Sequence, residues 1–336
     1  MKSVEVVMIL GNRAALLSGY TIPALLKSCV NAVTDYLIDV RICLNGFNHA
    51  KYDKNICNVH KYNELMKKSG GGVKIEDYKG KTSKDFSLLP DGSFACGDIS
   101  GFRRPMFKGS DIWDDFFQKT TADYFVIIDD DCEILDRALL KRMLDYMVQH
   151  DIDIFSADRT AMQSVYDTYS EADIIAMPRN DTWLCIYDMK QCRCNESFAL
   201  LDVFVTNDDK RYLWRSSNWT GLWTEYERHF RHENGTRYVY DDSAYMQSLI
   251  KEKTGKPYLC IHDIYDNDCS YIHYAHFSAN TRINSNVQMY VYRKLILLGY
   301  RSRSKFIRKC VNACKRKLFA NADKSRLRDN IISHLD

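Results

Sequence analysis

The stretch Tyr124-Phe-Val-Ile-Ile-Asp-Asp-Asp-Cys-Glu133 decides how this chain is read. Its first five residues are aromatic or branched and apolar, the composition of a buried strand. Three aspartates follow at the carboxyl end, the edge where open α/β sheets bind ligands. Side chains two apart on extended backbone point the same way. Asp129 and Asp131 can therefore converge on one hard cation while Asp130 faces elsewhere. Mg²⁺ and Mn²⁺ take oxygen ligands and complete their shells with water and substrate phosphates. Aspartates also form turns at strand ends. Three in succession, however, repel one another unless a cation or basic group sits among them.

Working outward from this stretch, strands and helices alternate, which predicts an α/β fold with a largely parallel sheet. Residues 4–10 form the first predicted strand, closed by the turn Gly11-Asn12-Arg13. An amphipathic helix carrying Leu25, Leu26, Cys29 and Val33 follows, with an interruption expected at Pro23. Residues 39–44 read as a second strand ended by Asn45-Gly46, and residues 73–78 as a third after a helix that stops at Gly70-Gly71-Gly72. Beyond the aspartates, Asp136 is placed to cap a helix over residues 137–149. Further strands are expected at 152–157, 183–187, 198–205 and 258–262, with a helix at 241–253.

The chain has 336 residues, 46% of them hydrophobic and 27% charged, as in an ordinary globular protein. A formal charge of +3 gives no reason to expect a nucleic-acid partner. The charge is unevenly spread: eleven Lys and Arg, and no acidic residue, lie between Asp268 and Asp323. Within that basic segment, Val287, Tyr290, Val291, Leu295 and Leu298 define one apolar helical face, with Gly299 as its C-cap. A second stripe carries Ile307, Cys310, Val311, Cys314 and Leu318. Such a tail can contact phosphates or lie on an anionic membrane. No run approaches the roughly 18 apolar residues of a membrane span, and no signal peptide is evident. The expectation is a cytoplasmic chain whose twelve cysteines are free thiols.

Three weaker features carry chemistry. Asp241-Asp242 precedes a predicted helix, where carboxylates are favoured as caps. One of the two can cap while the other acts as a general base. His273 and His276 are each able to join distant aspartates on a metal, although their spacing is not that of a zinc site. Trp183, Trp214, Trp219 and Trp223 suit either core packing or stacking on sugar faces.

The order of these pieces resembles GT-A glycosyltransferases, and in detail glycosyltransferase family 2. Val4 to Arg13 is similar to that family's first strand and nucleotide-contacting turn. Residues 39–46 are similar to its second strand, with Asn45 where the family usually has Asp. Thr121 to Asp131 resembles the lead-in to its DxD motif, and Tyr240-Asp-Asp-Ser243 the acidic pair that supplies the catalytic base. The resemblance implies a GT-A-like, Rossmann-like mixed sheet over residues 1–280, its donor half at about 1–135 and its acceptor half at about 136–280. A basic helical extension over 281–336 would follow. It further implies donor contacts from Leu10, Asn12, Arg13, Asn45, Asp129 and Asp130. Mn²⁺ or Mg²⁺ would sit on Asp129 and Asp131 with His273 or His276. Asp242, with Asp241 in reserve, would be the base. The implied reaction moves a sugar from a nucleotide-diphosphate donor, a UDP-sugar favoured, to a glycan or glycoconjugate, with inversion. Two alternatives stay open: a metal-dependent nucleotidyltransferase, and a non-catalytic glycan-binding protein on the same fold.

Overall fold

Six parallel strands and one antiparallel strand make the main sheet of the protein, seen here in a computed structural model. The structure describes residues 1–10, 17–44, 59–77, 87–88, 94–95, 109–160, 174–176, 179–193, 202–207, 210–215, 237–240, 244–257, 259–265, 270–274, 286–301, 304, 306–307, 309–311 and 313. The main-sheet strands are β1 (Lys2–Leu10), β2 (Tyr36–Leu44), β3 (Gly72–Asp77), β4 (Tyr124–Asp129), β6 (Ile154–Ser156), β7 (Leu184–Asp188) and β8 (Leu259–Cys260), while β5 (Cys132–Ile134) pairs outside it with β9 (Tyr271–His273). The order across the sheet is β8-β6-β7-β4-β1-β2-β3.

Period-two side-chain alternation sorts each central strand into two cores. Val4, Val6, Met8 and Leu10 of β1 join Tyr124, Val126 and Ile128 of β4 on one face. Val7, Ile9, Phe125 and Ile127 occupy the other. The first face is covered by α1 (Ser18–Ala32), α2 (Val59–Lys67) and α4 (Leu139–His150), the second by α3 (Gly109–Lys119) and α5 (Ala244–Thr254). Helices on both faces of a mostly parallel sheet are the expected fold class, because strands apolar on both sides need cover on both.

Strand order reverses between β1 and β4: the chain builds outward through β2 and β3, then returns to the other side of β1. The register sets Ile9 beside Asp129, so the aspartates emerge at this switch point. Ligand crevices of open α/β sheets form there. Across β1 to β3, Arg41 is held by Glu5 and by Glu76, the latter at 3.2 Å. That ladder accounts for Glu5, a carboxylate within a buried strand. Where α2 gives way to β3, a Cβ on Gly71 would lie 2.0 Å from the Ile38 carbonyl oxygen, so only glycine admits this approach.

Several local expectations are corrected. Pro23 does not interrupt α1, which runs through it. The proline forfeits one hydrogen bond to Gly19 in the second turn, while Ile22, Leu25, Leu26 and Cys29 bury the helix face. Asp136 is not the cap of α4; its carboxylate accepts from the Ala138 N–H at 2.9 Å and shapes the turn ahead of the helix. The predicted strand at 258–262, whose residue 258 lies outside the described residues, ends at Cys260, because Ile261–Asp263 turns into a 3-10 helix tied by the Asp263 carboxylate to the Cys260 N–H at 2.8 Å. The strand expected at 183–187 is present as the antiparallel β7, Leu184–Asp188, between β6 and β4. Of the strand expected at 198–205, residues 198–201 lie outside the described residues and the rest falls in Asp202–Asn207, part of a second, four-stranded sheet.

Helix α6 (Asn286–Arg301) has two apolar sides, and the side that packs is not the face read from the sequence. Met289, Tyr292, Ile296 and Leu297 are buried against Leu17, Ile272 and Tyr274. Val287, Tyr290, Val291 and Leu298 of the apolar face read from the sequence are exposed, at 74%, 50%, 48% and 51%. Gly299 is not a C-cap either. The helix continues past it, and a Cβ there would stand 2.9 Å from Cγ1 of buried Val311, so the glycine makes room for the following segment. Cys310 is exposed rather than packed, since Val311 takes the inward position. The described cysteines are all free thiols. No helix among the described residues is long and apolar enough to cross a membrane.

Candidate metal centre

β4 ends at Asp129, and after one tight turn the chain re-enters extended structure as β5. The antiparallel partner β9 sets His273 opposite Cys132, one residue from Asp131. Antiparallel pairing thereby delivers a histidine from far along the chain to the end of the aspartate strand. Ligand atoms of Asp129, Asp131 and His273 all lie within 4.8 Å of one another. His273 Nε2 is 3.2 Å from Asp131 Oδ1. A pair of carboxylates and one imidazole is a donor set suited to Mn²⁺ and usable by Mg²⁺. The residues present therefore fit such an ion.

The surroundings hold these ligands in place. The Tyr274 N–H donates to the Asp131 carbonyl at 2.9 Å, and the Asp129 N–H to the Trp183 carbonyl at 3.0 Å. The Trp183 ring stacks on the His273 imidazole, centroids 4.4 Å apart and planes 11° from parallel. Burial disfavours the charged imidazole, but the hydrogen bond to Asp131 and the charges of Asp131, Asp129 and Asp181 outweigh it and raise the His273 pKa. The buried Cys132 thiol is pushed well above its ordinary value by burial and by the carboxylates on either side, so it is a neutral spacer. Burial, aided by the nearby charge of Asp131, also raises the Tyr292 phenol of α6.

Behind the ligands, Glu133 is buried and triply bonded. Tyr274 donates its hydroxyl to Oε2 at 2.6 Å, and Arg293 donates to both oxygens at 2.8 and 2.5 Å. The Arg293 guanidinium also lies over the Tyr20 ring, 4.6 Å from its centroid. Sequence reasoning missed Glu133, Arg293, Asp181 and Tyr292. Glu133 alone carried a signal: two positions after Asp131, it continues the same extended alternation.

The predicted site residues are distributed as follows. Asp129, Asp131 and His273 come together. Asp130 is half-buried beside them. Leu10 ends β1 with its side chain fully buried in the core. Asn12, Arg13, Asn45, Asp241, Asp242 and His276 lie outside the described residues. Trp183 is committed to His273; Trp219 and Trp223 lie outside the described residues, as does the side chain of Trp214.

No family model matches the chain, and no curated protein matches it. Among solved structures it is similar to the mannosyltransferase PcManGT from Pyrobaculum calidifontis in complex with GDP-Man and Mn²⁺, at 13% identity and a TM-score of 0.32, covering 57% of this chain and 46% of that one. It is similar to TarS of S. aureus, residues 1–349, at 12% identity and a TM-score of 0.35, covering 89% and 80%. An active-site mutant of LgtC gives 14% identity and a TM-score of 0.37, covering 76% and 71%. The chain spans less than half the length of PcManGT and of two further TarS structures. Similarities this low identify no family, and the site is read from its own geometry.

Proposed function

We propose that the protein is a metal-dependent glycosyltransferase that moves a sugar from a nucleoside-diphosphate donor to a hydroxyl acceptor. The observation that carries the reading is the convergence of Asp129, Asp131 and His273 at the sheet's switch point. Such a crevice suits a nucleotide, and such a donor set suits the cation that accompanies a diphosphate. When bound, Mn²⁺ or Mg²⁺ would supply positive charge beside the leaving nucleotide diphosphate.

The chain's own residues do the rest. Asp131 and His273 hold each other, Trp183 fixes the imidazole plane, and Tyr274 and Asp129 tie both edges of the site to backbone. Ligand positions set before substrate arrives lower the reorganisation needed during reaction. We assign the acceptor proton to Asp242, with Asp241 in reserve, on the motif resemblance. Direct displacement with inversion follows from that assignment. The donor half is placed at residues 1–135 and the acceptor half at 136–280, with a UDP-sugar and a glycan or glycoconjugate as substrates. A cytoplasmic enzyme working at a membrane surface completes the proposal.

The test is a thermal-shift and titration series with UDP-, GDP-, CMP- and dTDP-sugars, each with Mn²⁺ and with EDTA. A metal-dependent shift with one nucleotide, absent in Asp131→Ala, is expected. Pyrophosphate release from a nucleoside triphosphate would instead mark a nucleotidyltransferase. Binding of glycans with no response to nucleotide or metal would mark a sugar-binding protein.

A further inference from the structure

The exposed face of α6 lies outside that site, and the cleft beside it holds none of the candidate ligands, although Glu133 and Arg293 in its wall brace them from behind. Val287, Val291 and Leu298 are spaced by four and seven residues and so stack along one side of the helix. Tyr290 and Lys294 border them, with the Lys294 ammonium 5.4 Å from the Tyr290 ring centroid. Phe306, just beyond the helix, is 73% exposed. Four turns of helix thus present aliphatic groups, an aromatic ring and a long cation to solvent, while the opposite side is spent on the core.

On the flank between these two sides, Arg293 and Leu297 line a cleft of about 310 Å³ against α1 and the segment after β5. Leu297 is three residues from Lys294 and next to Leu298, so the cleft opens alongside the apolar face. Its wall is more polar than apolar, with Pro23, Ala24 and Leu135 set among charged side chains. Glu133, its one acidic lining residue, is already held by Arg293 and Tyr274. Lys27 and Arg137 stand exposed around it, and neither is in an ion pair with another described residue. A polar cleft with exposed cations at its rim, opening beside an apolar helix face, fits the phosphate end of an amphiphile.

We propose that this surface docks the protein on an anionic lipid membrane, with the aliphatic face of α6 entering the interface and a lipid phosphate seated by Lys27 and Arg137. Charge complementarity selects this occupant. The eleven Lys and Arg without one acidic residue between Asp268 and Asp323 would repel a basic partner and gain nothing from a neutral one. Apolar side chains interspersed with lysine, whose stem reaches along the apolar surface to water, are what an interfacial helix requires. This docking does not depend on the transfer reaction.

The experiment is co-sedimentation of the full chain with vesicles of phosphatidylcholine alone and of phosphatidylcholine mixed with phosphatidylglycerol. Two surface variants are compared, Val291→Glu with Leu298→Glu, and Lys27→Ala with Arg137→Ala. The wild type is expected to bind the anionic vesicles and not the neutral ones. The double glutamate variant should lose binding, and the double alanine variant should weaken it about thirtyfold. Mn²⁺ binding and thermal unfolding, measured on the same samples, should stay at wild-type values because all four positions are exposed. No binding by the wild type, equal binding to neutral vesicles, or wild-type binding by both variants would overturn the proposal. So would a self-association, seen by sedimentation velocity, that the double glutamate variant abolishes.

Discussion

Arg293 on α6 grips the buried carboxylate of Glu133 with two hydrogen bonds, at 2.8 and 2.5 Å, across 160 residues of sequence. Glu133 sits in β5 two residues past Asp131, and its third bond comes from Tyr274, the neighbour of His273. The ion pair therefore ties α6 to the strand that follows Asp131 and, through Tyr274, to the end of the strand that carries His273.

Removing the arginine leaves a buried carboxylate uncompensated. Arg293→Leu should destabilise the fold by about 3–5 kcal/mol. Arg293→Leu combined with Glu133→Gln should recover much of that loss, as read by urea unfolding. If the single and double variants were equally destabilised, the pairing would not be the source of the effect.

The ligand set can be tested without any sugar. His273→Ala should weaken Mn²⁺ binding about tenfold or more, and Asp131→Ala should abolish it, both read by calorimetry. Dialysis against EDTA should lower the wild-type melting temperature measured in Mn²⁺ but leave that of Asp131→Ala unchanged.

At Gly299 a side chain meets Val311 before it meets solvent. Gly299→Ala should cost about 1–3 kcal/mol through overpacking, even though alanine is the better helix former. Val311→Ala in the same chain should relieve most of that cost. A stabilised single variant would show that the two segments are not in contact.

Asp123 accepts hydrogen bonds from the Ser3 N–H at 2.7 Å and the Ser3 hydroxyl at 2.9 Å, fixing the start of β1 to the start of β4. The backbone bond from Ser3 is the chief cause that holds its pKa below the usual carboxylate value, with burial opposing. A depressed folded-state pKa gives stability that is present above the unfolded value, near about 4, and is lost as pH falls through the folded one. Asp123→Ala should thus cost about 0.5–1 kcal/mol at neutral pH, kept small because the carboxylate is open to water. The gap between variant and wild type should close as unfolding is followed to acid pH below that range.

Much of the fold was legible in local pattern. Branched apolar runs marked β1, β2 and β4, glycines marked the exit from α2, and the aspartates marked the edge of the sheet that carries the site. The places where reading failed share a cause. Pro23, Asp136 and Gly299 each have a standard local meaning, and in each case a tertiary contact or a neighbouring turn replaced it.

The face of α6 shows the same limit. Two stripes of the helix are apolar, and periodicity ranks them by hydrophobicity alone; which one is buried depends on the shape of Leu17, Ile272 and Tyr274 beneath it.

By itself, then, the sequence determined the layered α/β class, the strand that presents Asp129 and Asp131, and the basic character of the C-terminal segment, because each is written in residues near one another. The sequence named His273 and His276 as candidates for the metal; the tertiary structure brought His273 to the aspartates, set Trp183 behind it and carried Arg293 to Glu133. Those partners are set by strand pairing and helix docking between segments far apart in the chain, and no local pattern of side chains encodes which distant segments will meet.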